Sequence, residues 1–221
     1  MKWFRTALTG ILCILFTVCI LPVSAAEPVK LEDPVWYYDH QSYTLYYGFS
    51  LKNEMKNKAE RNVGYRVKAV DEAGNEVASV NGTIKRIEKN GDRVYYAAQI
   101  SCTGQPAQVK IRTDGAKPVS SANRKKTKQM YPVHNVKETV DTQYALVSGF
   151  NNIIVTGTIE NKTDQALQDA RIVAVFKKDG KIVDMIYDKV ESVDAHSTLD
   201  ITLTQYRSVA EHDSVKCYIT Q

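Results

Sequence analysis

After its first 26 residues the chain has two cysteines, Cys102 and Cys217, no apolar run long enough to span a membrane, and no stretch with the spacing of an amphipathic helix. So few cysteines exclude a disulfide-stapled scaffold, and the missing spans leave the mature chain without a helical anchor. No Ser or Cys follows a nucleophile motif, and no Gly-rich loop opens a helix over a phosphate. The histidines, His40, His134, His196 and His212, share no metal-ligand spacing; Glu211-His212-Asp213 reads as an exposed turn, because adjacent strand residues point to opposite faces. Asp33, Asp39, Asp71 and Glu72 read as turn and strand-end carboxylates rather than a glycosidase pair. The sequence therefore points to no reaction, and neither a catalytic residue, a metal site nor a cofactor is expected.

What is present begins with a leader. Lys2 and Arg5 precede an apolar run from about Ala7 to Leu21, and Ser24 and Ala26 supply the small residues of a cleavage site. Residues 1–26 are thus expected to be a signal peptide, and the mature chain to be secreted and extracellular, either released or held at the cell surface by non-covalent contacts. Removing them takes Cys13 and Cys19 away.

The mature chain says the same thing twice. Phe49-Ser50-Leu51-Lys52-Asn53, Tyr65 to Val70 and the turn Asp71 to Val77 recur in outline as Gly157-Thr158-Ile159-Glu160-Asn161, Arg171 to Phe176 and Lys177 to Val183. Around both copies apolar residues alternate with polar ones. Tyr43, Leu45, Tyr47, Phe49 and Leu51 share one face, as do Val94, Tyr96, Ala98, Ile100 and Cys102; Leu199, Ile201 and Leu203, and then Val215, Cys217 and Ile219, do the same later. Turn signals at Ala73-Gly74-Asn75, Asn81-Gly82, Asn90-Gly91-Asp92, Asp114-Gly115 and Asp179-Gly180 separate the runs. Short strands with one apolar face hide that face by pairing two sheets. The expectation is an all-β chain of two tandem sandwiches: residues 27–118, a linker at 119–130, and residues 131–221.

The block from Val155 to Leu203, with Thr156 to Thr163 leading into Ala170 to Val183, resembles the FxLYD-type domain, an immunoglobulin-like sandwich of exported bacterial proteins; the stretch from about Leu45 to Ile111 resembles it more weakly. The naming motif of that family falls on Val173, Val175, Phe176 and Lys177 in the second copy and on Val67, Ala69, Val70 and Asp71 in the first. The resemblance implies an immunoglobulin-like fold and carries no catalytic constellation.

Two features suggest contacts. The linker gathers Arg124, Lys125, Lys126 and Lys128 with no acidic residue, so it is expected to be solvated and able to meet an anionic envelope polymer or lipid headgroups; export sets nucleic acid aside. In the first copy, Trp36, Tyr46 and Tyr95 are candidates for an aromatic platform that binds a sugar or a protein partner. Cys102 and Cys217, on inward faces of separate domains, are expected to stay reduced. The reading that results is a non-catalytic recognition or adhesion module, with a structural spacer or accessory subunit of an envelope complex as the alternative.

Overall fold

The computed structural model describes residues 29–120, 124–141, 152–205 and 207–221; the expected leader lies outside them. The first half contributes β1 (Val29–Asp39), β2 (Thr44–Asn53), β3 (Lys58–Val70), β4 (Glu76–Ile87), β5 (Arg93–Ser101), β6 (Gln108–Thr113) and β7 (Lys117–Ser120). After a single helical turn, α1 (Thr127–Met130), the second half contributes β8 (Val133–Asp141), β9 (Asn152–Glu160), β10 (Leu167–Lys178), β11 (Lys181–Val193), β12 (Thr198–Gln205) and β13 (Ser214–Thr220). The expected all-β class with tandem immunoglobulin-like sandwiches is what these strands build. No helix among the described residues is long and apolar enough to cross a membrane.

The repeat is reproduced in the strand order. Sheet β1-β2-β5 corresponds to β8-β9-β12, and sheet β4-β3-β6 corresponds to β11-β10-β13; β7 adds a short pairing to β3. Even the irregularities recur. β1 breaks register between Glu32 and Val35 with Asp33 at φ 53°, and β8 breaks between His134 and Lys137 with Asn135 at φ 52°. Asp and Asn tolerate this left-handed backbone better than most residues, which is why they stand at such kinks. β3 and β10 match in the same way: Asn62 (φ 50°) answers Asp169 (φ 48°), and the bulge after Ala69 answers the one after Phe176. These landmarks pair Tyr65, Val67 and Ala69 with Ile172, Ala174 and Phe176. The sequence alignment above, which sets Val67 against Val173, is one residue out of register, and such a slip exchanges the two faces of a strand.

The cores follow the alternation. Phe49, Leu51, Val63, Val67, Ile84 and Ile87 fill the first sandwich, while Ile159, Leu167, Ile172, Phe176, Ile186 and Leu203 fill the second. Phe49 and Phe176 are fully buried, each stabilising the fold by about 2–3 kcal/mol. Cys102 and Cys217 are unbridged and buried in different clusters, and burial pushes the Cys217 thiol up to about 12, so both act as small apolar residues. Three expectations fail locally. Asn81-Gly82 is no turn but lies inside β4, where a Cβ on Gly82 would stand 2.1 Å from the Tyr65 ring; the glycine makes room for it. Leu199, near the start of edge strand β12, stands opposite buried Ile159 on the inward face yet is 38% exposed. Tyr43, expected on the inward face with Leu45, precedes β2 in a turn with φ 53° and is 59% exposed.

Each sandwich buries an asparagine at the end of its β2-type strand. Asn53 donates through Nδ2 to the Lys58 carbonyl (3.0 Å) and accepts from the Met55 N–H (2.9 Å); Asn161 donates to the carbonyls of Gln165 (2.8 Å), Val193 (3.0 Å) and Asp194 (3.0 Å) and accepts from the Thr163 N–H (3.0 Å). A buried amide with both donor and acceptor is suited to fastening a loop to the strand behind it.

Glu60 of β3 is the opposite case. It is fully buried and neither carboxylate oxygen has a hydrogen-bond partner among the described residues, so burial raises its pKa, with Lys58 only partly opposing. A raised folded-state pKa means stability that is complete below the ordinary carboxyl range and lost as pH rises through the folded value. Glu60→Gln should therefore leave stability unchanged near pH 4 and raise it by about 1–2 kcal/mol at pH 8, read from urea melts at both pH values. An equal effect at the two pH values would contradict the assignment.

Candidate functional site

The two sandwiches do not stand apart. The outward face of β1-β2-β5 packs against the outward face of β11-β10-β13, so that Tyr95 and Ala97 meet Val173, Val175 and Met185 in one buried cluster. The Tyr95 and Tyr218 rings lie 4.3 Å apart, and the Thr220 hydroxyl donates to the Tyr95 carbonyl at 2.6 Å. The backbones come close enough that a Cβ on Gly48 would stand 2.9 Å from Met185 Sδ. Arg171 Nη1 donates to the Ala97 carbonyl, and its guanidinium sits 4.7 Å from the Tyr96 ring and 4.4 Å from the Tyr187 ring. The result is four stacked sheets, which explains why Ile172 to Phe176 is apolar without interruption: β10 is buried on both faces.

This stack dismantles the expected aromatic platform. Tyr95 is 7% exposed because the second sandwich covers it, and Tyr46 lies at the same interface beneath the Arg207 guanidinium, 5.3 Å away. Trp36 is 44% exposed but pairs across the ladder with Tyr47, so it belongs to the other face of the sheet. Tyr46 and Tyr95 are adhesive between sandwiches rather than toward solvent.

The basic linker is also less free than expected. Arg124 Nε lies 3.4 Å from Glu88 Oε1, Lys126 Nζ donates to the Asn90 carbonyl at 2.7 Å, and the Lys126 N–H is accepted by Gln129 Oε1 at 3.0 Å. Its far end is pinned by Met130 and Tyr131, which are buried in the second core. The reason is electrostatic: Glu88 and Asp92 are buried at the β4–β5 turn, where burial raises the Asp92 pKa and the Glu88 N–H and nearby Lys126 oppose it. Lys125 and Lys128 remain exposed, Lys128 beside a groove of about 430 Å³ that also takes in Arg93 and Lys216. Ser121, Ala122 and Asn123 lie outside the described residues.

A different surface emerges on the outward face of β3, β4 and β6. In the cross-strand register Arg66 stands opposite Arg112 and Lys68 opposite Lys110, two rows of like charge. Arg66 donates to Asn81 Oδ1 (2.8 Å) and is 3.8 Å from Asp114, while Lys68 pairs with Glu76 at 3.1 Å. Lys110 and Arg112 are exposed and have no acidic partner among the described residues. Farther along β3, Arg61 stands between Arg86 and Lys117. The landmark register gives Val173 and Val175 of β10 as the counterparts of Arg66 and Lys68. The same sheet face is thus apolar and covered in one copy, basic and open in the other. Sequence reasoning missed it, although the period-two spacing of Arg66 and Lys68 and of Lys110 and Arg112 was the available signal.

The other polar candidates are locally engaged. Asp33 receives Arg93 at 3.0 Å, Asp39 receives the Gln41 N–H at 2.9 Å, and Asp71 receives the Asn75 N–H at 2.8 Å. His212 is half-buried rather than in an open turn. Burial alone would lower its pKa, but contacts with the Ala210 carbonyl (2.7 Å) and Glu138 (2.8 Å) outweigh that and raise it. No group of three or more His, Cys, Asp or Glu suited to a metal ion is found among the described residues.

No family model and no curated protein matches this chain. Among solved structures, the N-terminal CBM22-1-CBM22-2 tandem domain from Paenibacillus barcinonensis Xyn10C aligns over 87% of this chain and 83% of its own, at 12% identity and a TM-score of 0.18.

Proposed function

We propose that the mature chain is an exported, non-catalytic recognition module of the cell envelope, working outside the cell, in which the second sandwich holds the first and leaves the outward face of β3, β4 and β6 for a partner. The observation that carries this is the pair of like-charged rows, Arg66 with Arg112 and Lys68 with Lys110, on an uncovered sheet. Like charges set directly opposite each other weaken a sheet, and their presence is accounted for by a function that uses them. The FxLYD-type assignment belongs to the same reading, supported by the repeated strand order and by the Glu160-Asn161 region.

The spacer reading is favoured by one specific observation, the buried contact between the two sandwiches, which makes a stiff body of the tandem. The two readings separate on purified envelope fractions. Retention of residues 27–221 should fall at least about tenfold when Arg66, Lys68, Lys110 and Arg112 are replaced together by Ser, since exposed charge contacts at close range act jointly. Retention that ignores this change would put the spacer reading first.

A further inference from the structure

Resting on that reading, we infer that the occupant of the basic sheet face is a linear acidic glycopolymer, one that carries a carboxylate or phosphate on each repeating unit. Neighbouring strands lie about 4.8 Å apart and alternate residues along a strand about 7 Å apart, so Arg66, Lys68, Lys110 and Arg112 mark the corners of a small, nearly flat rectangle. Such a lattice offers no enclosure to a single small anion. A chain of anions can engage several corners at once, each further contact being intramolecular.

The neighbouring chemistry fits the same occupant. Ser79 and Asn81 of β4 stand opposite Lys68 and Arg66 and offer neutral hydrogen-bonding groups beside the charges. Arginine adds two-pronged recognition of carboxylate or phosphate. No aromatic or large aliphatic side chain stands in either charged row, so the face has nothing to insert between lipid chains, which favours a polymer over a bilayer. The fold itself does not require the charges, because β10 carries Val173 and Val175 at the corresponding places.

The test measures binding of residues 27–221 to polygalacturonate, long-chain polyphosphate, neutral dextran and phosphatidylglycerol vesicles. At least one of the two polyanions should bind at about 50 mM salt, and the one that binds tells whether carboxylate or phosphate is the anion; dextran should not bind. Raising salt to about 300 mM should weaken binding roughly tenfold or more, because the screening length shrinks to several ångströms. The combined Arg66, Lys68, Lys110 and Arg112 to Ser variant should lose binding by about tenfold or more while melting no lower than wild type, since its like-charge rows are gone. Replacing Arg124, Lys125, Lys126 and Lys128 by Ser should cost less than about threefold. Binding to neither polyanion, binding to vesicles alone, or a loss confined to the linker variant overturns the inference. If the face variant loses envelope retention while neither polyanion binds, the polymer assignment falls and the recognition face survives; if retention is also indifferent, both fall.

Discussion

Asn161→Ala is expected to destabilise the protein by roughly 3–5 kcal/mol, a fall in melting temperature of about 10 °C for a chain of this size. The side chain is fully buried, and removing it takes a donor from the buried Val193 carbonyl and the acceptor from the Thr163 N–H, while the Asp194 carbonyl keeps Ser197 and the Thr163 hydroxyl keeps the Gln165 carbonyl. Each stranded group costs about 1–3 kcal/mol, so the two together outweigh any relief of side-chain entropy. Asn161→Asp should not rescue it, because a carboxylate keeps the shape but faces three carbonyl oxygens with no N–H to give. Asn53→Ala should act in the same direction on the first sandwich. Thermal and urea melts followed by circular dichroism decide the matter, and a loss below about 1 kcal/mol for Asn161→Ala would contradict this account of the repeat's shared asparagine.

Arg207→Ala should produce an effect of similar size, about 3–5 kcal/mol, for a different reason. Both guanidinium Nη groups reach Asp184 at 2.7 Å, Nη2 also donates to the Met185 carbonyl at 3.2 Å, and the arginine is 3% exposed. The same cation lies 5.0 Å from the Tyr37 ring and 5.3 Å from the Tyr46 ring of the first sandwich, so it ties the interface as well as the second core. Alanine would leave Asp184 buried with only the Ala210 N–H (3.2 Å) and its neighbouring Met185 N–H (2.7 Å). Arg207→Lys should recover little, since a single ammonium cannot span both carboxylate oxygens. The double replacement Arg207→Met with Asp184→Leu should sit closer to wild type than either single loss, because removing both charges removes the desolvation cost. Equal loss in single and double variants, measured in the same melts, would show that packing rather than charge pairing dominates there.

Much of this fold was legible because alternation is a local property. Phe49, Leu51, Ile172 and Phe176 each announce a buried strand face, and Asp179-Gly180, with φ values of 50° and 75°, marks a tight hairpin as its composition suggests. The uninterrupted run Ile172 to Phe176 carries the pattern of burial on two sides and was read as one-faced like the other strands; nothing local says which surface provides the second cover. That cover is the face bearing Tyr46 and Tyr95, whose polar neighbours Ser50 and Gln99 made it look solvated. Trp36 was misplaced for a related reason: its face follows from its pairing with Tyr47, which a register break after Glu32 had to be known to fix. The basic linker read as free because its partners, Glu88 and Asn90, lie more than thirty residues upstream. The basic sheet face was hidden differently, since Arg66 and Lys68 look like ordinary solvated positions until Arg112 and Lys110 are placed opposite them.

The sandwiches stack through the outward face of β1-β2-β5, leaving the outward face of β3, β4 and β6 open. Hydroxyl-radical footprinting of residues 27–221, read by mass spectrometry at individual tyrosines, tests it most directly. Tyr95 points out of its own sandwich and is buried only by the second one, whereas Tyr43 is 59% exposed. The stack predicts strong protection of Tyr95 beside ready oxidation of Tyr43; oxidation of Tyr95 at the rate of Tyr43 would mean that the two sandwiches move independently in solution.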